Sequence, residues 1–345
     1  MEDHLTARNN KQVALWLLIG AGMLVIQIML GGITRLTESG LSITEWEPIK
    51  GFLPPLNELQ WQEAFAKYQT TDQYKYLHQA FTISDFKFIY FWEWFHRFWA
   101  RLIGIVFIVG FSYLLFTKKI RNKMITPLIV LFVLGGLQGA IGWIMVASGL
   151  VPKMYFVGHV ELATHFISAI ILLSYTLWFA LGLLAAFREK VINPFFRRLL
   201  IIITGLLFVQ LIYGALMAGL KAGKTAPTWP DINGEYFPAA LFELPGLMNN
   251  LFNNPLMVQL IHRSVAYLLF FTVIFFFLVT GRHLKGGMFA ILRRSLLMLI
   301  FCQVILGIFT LLHAASPNVL LWLGVSHQLV GMLVAANVVA LLFLV

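Results

Sequence analysis

Eight apolar stretches, each close to the roughly 20 residues that a helix needs to cross a bilayer, leave this chain few ways to fold. They fall at about 13–33, 95–116, 125–148, 160–187, 199–220, 257–280, 294–314 and 319–345. In lipid the backbone must satisfy its own hydrogen bonds, so runs of this length predict spanning helices. The rest of the composition agrees. Of 345 residues 59% are hydrophobic and 12% charged, about half the charge of an ordinary soluble domain. The expected fold class is an all-α integral membrane protein with eight transmembrane helices, arranged as two pseudo-symmetric four-helix bundles.

The charges orient the chain. Three short connections are basic: Lys118, Lys119, Arg121 and Lys123; then Arg188, Lys190, Arg197 and Arg198; then Arg282, Lys285, Arg293 and Arg294. They share one acidic residue, Glu189. Basic short loops stay in the cytoplasm, which places both termini there and the long 34–92 and 221–256 loops outside. The formal net charge of +10 therefore belongs to membrane topology, and no nucleic-acid partner is expected. The single cysteine, Cys302, excludes a disulfide framework and a thiolate metal site. The first run is too long for a cleavable signal core, and no organelle presequence is expected.

The chain also repeats itself. The odd spans carry Gln27-x-x-x-Gly31, Gln138-x-x-x-Gly142, Gln210-x-x-x-Gly214 and Gln303-x-x-x-Gly307 towards their outer ends. The even spans carry His96-Arg97, Thr164-His165, His262-Arg263 and Ser326-His327. Repeats of unchanged orientation imply two bundles related by an axis along the membrane normal, here 1–190 and 191–345. The glutamine–glycine motif reads first as helix-packing glue, and its glutamines are not taken as cofactor ligands.

Ionisable groups inside a membrane are expensive and point to function. His96, His165, His262 and His327 lie 18 to 23 residues from the basic loops or the C-terminus, roughly 27–35 Å of helix. All four thus sit at one level near the outer face. His4, His78 and His283 fall in a tail and loops and are expected to be solvated. His159 and His313 lie close to the outer surface. Imidazole suits zinc, copper and iron, but no second carboxylate repeats with the histidines. A macrocycle between helices needs one imidazole from each side, an apolar slot and cations for its propionates. Two histidines per bundle supply the first need, and Arg97, Arg263, Arg35 and Arg101 are candidates for the last. The halves differ at one position. Glu93 stands three residues before His96, where Gln259 precedes His262. A carboxylate beside one site only suggests chemistry in the first half and a structural or electron-transfer heme in the second. The plainer reading is that Glu93 pairs with an arginine such as Arg97. Glu161, four before His165, is a weaker candidate. A diheme electron-transfer membrane cytochrome is the alternative function, and a heme carrier a third.

The segment Gly31-Gly32-Ile33-Thr34-Arg35-Leu36-Thr37-Glu38-Ser39-Gly40-Leu41-Ser42 resembles the first outer loop of the heme A synthase family, in its mitochondrial and proteobacterial branch. So do Glu93-Trp94-Phe95-His96-Arg97, Gly139 to Val146, Ala218 to Gly223, and Ser326-His327-Gln328. The resemblance runs from about 13 to 345. It implies an oxidoreductase that oxidises the position-8 methyl of heme O to a formyl group, giving the heme A of terminal cytochrome oxidase. It implies that His96 and His165, with Arg97 nearby, hold the substrate heme O. It implies that His262 and His327, with Arg263, hold a heme b cofactor, and that Glu93 takes part in the oxidation. The implied location is the bacterial inner (cytoplasmic) membrane. The implied partners are heme O and heme A, membrane lipid, heme O synthase, cytochrome oxidase assembly factors and a second copy of the chain. Another branch carries a cysteine pair in an outer loop; this chain lacks it, so a mechanism needing those thiols does not apply.

Overall fold

A computed structural model describes residues 2–45, 50–187, 190–281 and 286–345. Arg188, Glu189, Arg282, His283 and Lys285 lie outside the described residues. Among the described residues eight helices are long and apolar enough to cross a membrane. They are α1 (Glu2–Leu36), α4 (Ile83–Phe116), α5 (Asn122–Gly149), α6 (His159–Leu183), α7 (Pro194–Gly219), α10 (Pro255–Gly281), α11 (Gly287–Leu312) and α12 (Pro317–Leu344). Among the described residues four short α-helices lie in the two long loops: α2 (Glu58–Gln69), α3 (Asp72–Leu77), α8 (Ala222–Thr225) and α9 (Leu247–Asn253).

The starts of these helices follow local chemistry. Asn193 accepts from the Phe195 and Phe196 amides ahead of Pro194, a side-chain cap followed by proline in the first turn. Thr82 and Asp85 form a reciprocal capping box at α4. The helix thus begins at Ile83, 12 residues before the expected start of the second span, and the reason is packing. Phe86 and Ile89 are buried against Tyr68 of α2, with Trp61, Phe65 and Tyr74 around them. The first turns of α4 thus face an aromatic cluster made by the loop instead of lipid. At its other end α6 stops at Leu183, short of the expected 187, and gives way to a 3₁₀ turn at Ala185–Phe187.

Helices α1, α6, α7 and α12 make the centre. Val13, Leu17 and Leu24 of α1 meet Leu172 and Leu173 of α6, Leu200 and Ile203 of α7, and Val334, Val338 and Leu341 of α12 in one apolar core. Half of the apolar stretch of α12 is buried in the protein, against 6% in α4 and α5. The outer helices present Ile108 and Val109, Phe132 and Val133, Phe271 and Phe275, and Met298 and Phe301 outward. On a soluble protein such a surface would demand a partner; here it is the face that meets acyl chains.

Candidate functional site

The repeated glutamine–glycine motif lies against the histidines. Gln27 Nε2 is 3.3 and 3.2 Å from the two ring nitrogens of His96. Gln210 Nε2 is 3.2 Å from both ring nitrogens of His262. Gln138 Nε2 lies 3.2 Å from His165 Nδ1, and Gln303 Nε2 lies 3.3 Å from His327 Nε2. The glycine four residues on makes room for the same ring. A Cβ added at Gly31, Gly142, Gly214 or Gly307 would stand 3.2, 2.8, 3.2 or 2.9 Å from Cε1 of the respective histidine. The motif is therefore more than packing glue: an odd helix offers an amide and a notch to an imidazole from the next even helix. The sequence held the signal in the fourfold recurrence at the depth of the histidines. Its general use in helix packing hid the role.

His96 on α4 and His165 on α6 each lie against a glutamine of the first half, and His262 on α10 and His327 on α12 each lie against one of the second. At His327 the Nδ1 atom is buried without a protein partner, as are the Oε1 atoms of Gln27, Gln210 and Gln303. A buried polar atom left unpaired costs free energy, and a ligand that takes the imidazole nitrogens relieves it. Imidazoles held in this way are the donor type that an iron porphyrin takes on its axial faces.

Glu93 and Gln259 turn out to do parallel work. Glu93 is 2% exposed and accepts from Ser42 Oγ at 2.7 Å, from the Ile43 amide at 2.9 Å and from Arg97. Arg97 also donates to the carbonyls of Ile43 and Glu45. Gln259 is fully buried. It accepts from Arg263 at 2.7 Å and donates to the carbonyls of Ala222 and Ala226. Arg263 donates to the carbonyls of Thr228 and Asp231, both at 2.7 Å. In each half the residue three before the first histidine joins the arginine one after it, and both clamp the outer loop that follows the odd helix. The pairing of Glu93 with Arg97 is thus present. A cleft of about 160 Å³ beside it is lined by Ser42, Thr44, Glu45, Arg97 and Arg101.

The outer surface holds a further cluster. Glu38 pairs with Lys221 and lies 3.5 Å from His78 Nε2. Tyr68 Oη is 2.6 Å from His78 Nδ1. His78 is 7% exposed, which corrects the expectation of a solvated loop histidine: α2, α3 and the turn after α1 fold over it. Contact with His78, then with Lys221, holds the Glu38 carboxyl down at about 2, against the cost of its partial burial. Arg35 donates to the Ala218 carbonyl, not to the first bundle's interior. His159 Nε2 lies 2.7 Å from Asn253 Oδ1, and His313 Nδ1 lies 2.9 Å from the Phe309 carbonyl.

Comparison with known proteins bears on this arrangement. Residues 14–339 match the family described as cytochrome oxidase assembly protein, COX15-CtaA. A heme A synthase of Flavobacterium psychrophilum is 39% identical over 339 residues, covering 96% of this chain and 97% of that protein. A heme A synthase of Azorhizobium caulinodans is 41% identical over 96% of this chain and 93% of its own length. One from Brucella suis is 37% identical over 99% and 94%.

Proposed function

The chain belongs to the COX15-CtaA family of cytochrome oxidase assembly proteins, and from that premise we propose that it is a membrane oxidoreductase converting heme O to heme A. The reading extends to residues as follows. The substrate heme lies in the first bundle between His96 and His165, and its methyl is oxidised to the formyl group. His262 and His327 in the second bundle would hold a heme b, which would supply one-electron redox chemistry there. The observation that carries this assignment is the recurrence of one imidazole holder, amide plus glycine notch, at all four histidines.

The protein's own groups have definite tasks. The glutamines and glycines fix the imidazole rings before a porphyrin arrives, so little ordering is left for the bound state. Glu93, three residues from His96 on α4, is placed to accept a proton at a carboxylate oxygen or to oppose positive charge that develops on the substrate. Arg97 holds that carboxylate, and with Arg101 it lines the outer cleft, where porphyrin carboxylates find cations. Arg263 takes the corresponding place beside the heme b site. The enzyme lies in the bacterial inner membrane, with both heme levels near the outer face.

The test is direct. The protein is co-expressed with a heme O supplier in cells lacking heme A, and the extracted hemes are separated by chromatography. Heme A is expected to appear. Two tightly bound hemes with no heme A formed would favour an electron-transfer cytochrome. Replacing His262 or His327 should remove the low-spin heme b from the purified protein, because an axial ligand in an apolar site is lost. Unchanged low-spin absorbance in both variants would overturn the assignment.

A further inference from the structure

The two bundles differ along one seam. Helices α10 and α11 run close together and are joined at several levels. Phe289 meets Phe276, and Arg293 donates to the Phe277 carbonyl. Further out, the rings of Phe270 and Phe301 meet edge to face at 4.9 Å. The matching helices of the first half, α4 and α5, hardly approach one another. Their apolar stretches are each 6% buried, against 22% and 17% in α10 and α11, so the first bundle has the looser wall. Phe107 and Phe132 stack across that wall at 5.9 Å. One turn further out on the same two faces stand Gly104, three before Phe107, and Gly136, four after Phe132. Beyond them come Ala100, Gly139 and Ala140, all exposed.

Gly104 follows His96 by eight residues, as Phe270 follows His262; Gly136 precedes Gln138 by two, as Phe301 precedes Gln303. Two glycines thus stand where the second half sets its pair of rings. Glycine in a membrane helix commonly serves close backbone approach. Here a Cβ added at Gly104, Gly136 or Gly139 would meet nothing within 4 Å, so these glycines leave room that no neighbouring helix uses. That room lies eight residues from His96 and six from Gly142, about 9–12 Å of helix. It is on the opposite side of the imidazoles from the outer cleft that Arg97 lines. Heme O differs from heme b by an isoprenoid chain on the macrocycle edge opposite its two carboxylates. With the carboxylates towards Arg97, that chain points inward, to the level of the glycines. We propose that the seam between α4 and α5 is the passage for this chain. It lets the chain run out of the first bundle into lipid, while Phe270 and Phe301 bar such a chain from the second. The glycine pair and the phenylalanine pair thus sort a tailed heme from an untailed one. This rests on placing the substrate heme in the first bundle.

Heme content decides the matter, without any measurement of turnover. The full chain is purified after co-expression with a heme O supplier, and its bound hemes are extracted and separated by chromatography. Tailed heme, that is heme O and heme A together, is compared with heme b. Gly104→Phe combined with Gly136→Phe, which copies the second half, should lower tailed heme by about tenfold or more, the scale of an overpacked contact. Heme b, held in the other bundle, should stay and reports folding. Gly104→Leu and Gly136→Leu alone should lower tailed heme by less, and they carry the test should the double variant not fold. Phe270→Gly combined with Phe301→Gly should admit tailed heme to the second bundle, so the ratio of tailed heme to heme b should rise. Tailed heme at the wild-type level in the glycine variants would overturn the inference, since the seam would then hold only acyl chains. An unchanged ratio in the Phe270→Gly, Phe301→Gly protein would overturn the sorting role of the phenylalanines. His96→Ala separates premise from inference. Tailed heme retained there would remove the substrate heme from the first bundle. Tailed heme lost there but kept in the glycine variants would sink the passage alone.

Discussion

Glutamate and glutamine at the same register meet different loops, and that decides what a swap does. Glu93 faces donors, the Ser42 hydroxyl and the Ile43 amide. Gln259 turns its NH₂ towards two carbonyls, of Ala222 and Ala226. Glu93→Gln is therefore not the neutral exchange that the sequence alignment of the halves suggests. Its NH₂ must face a donor or leave the Ile43 amide unpaired, at a cost of about 1–3 kcal/mol. The expected outcome is a protein of lower thermal stability that retains heme b and makes heme A at a rate lower by about 100-fold or more, as for a lost acid–base group. Heme extraction checks the second part and thermal unfolding in detergent the first. Near-normal heme A from well-folded variant would remove Glu93 from the chemistry. The glycines allow a second test. Gly307→Ala puts a methyl 2.9 Å from His327 Cε1, so heme b occupancy should fall. Gly205 has nothing within 4 Å of an added Cβ, and Gly205→Ala should leave occupancy unchanged while stabilising the helix by about 0.5–1 kcal/mol. Equal occupancy in both variants would deny the notch its role. At this scale the histidines stood out as candidates because an ionisable group inside an apolar run is conspicuous. The glutamines did not, because an uncharged amide in a helix has many uses.

At the scale of elements, hydropathy located all eight spans but misplaced the start of α4, since an aromatic run reads alike whether it meets lipid or a loop cluster. The same blindness hid the outer clasp. Glu38 lies 11 residues after Gln27, and Lys221 lies 11 after Gln210, so the ion pair joins corresponding positions of the two repeats. Both residues have left-handed backbones, with φ of 57° and 52°, which turn the chain sharply as α1 and α7 end. Arg35 and the Ala218 carbonyl, each eight residues after its glutamine, meet in the same way. The clasp makes a pH prediction. Glu38 has its carboxyl lowered from about 4.5 to about 2. A depressed carboxyl contributes stability above its unfolded value and loses it as pH falls through the folded one. The wild type should thus lose stability between about pH 4.5 and pH 2, beyond what Glu38→Gln loses over the same window. Thermal melts of the two proteins across that range measure the difference. Parallel curves would mean that the ion pair contributes nothing to holding the outer loops.

For the whole molecule, three basic loops predict the orientation, and reporter fusions test it: one after Lys123 or Arg198 should report cytoplasm, one near Gln73 the outside. How the two halves join was not readable, because it depends on single contacts between distant residues. Gln328 follows His327 on α12 and donates to the Ile28 carbonyl of α1 at 2.7 Å. Its Oε1 fills the space over Gly32, where a methyl would overlap it. Ile28 follows Gln27 and Gly32 follows Gly31, the two residues that hold His96. One amide therefore ties the helix carrying a ligand of the second site to the holder of a ligand of the first. In lipid the hydrophobic effect gives helices no reason to associate, and close packing with hydrogen bonds must do so; a notch filled by an amide supplies both. Gly32→Ala should force Gln328 out and cost about 1–3 kcal/mol, as overpacking does. Gln328→Ala should lose the hydrogen bond at a smaller cost and vacate the notch. Combined, the second change should relieve the first, so the double variant should be more stable than the sum of the singles by about 0.5–3 kcal/mol, the range found for residues in direct contact. Unfolding of the four proteins in one detergent gives that coupling energy. Strict additivity would mean that the halves are held together elsewhere along α1 and α12, and that the spacing of the two heme sites does not depend on Gln328.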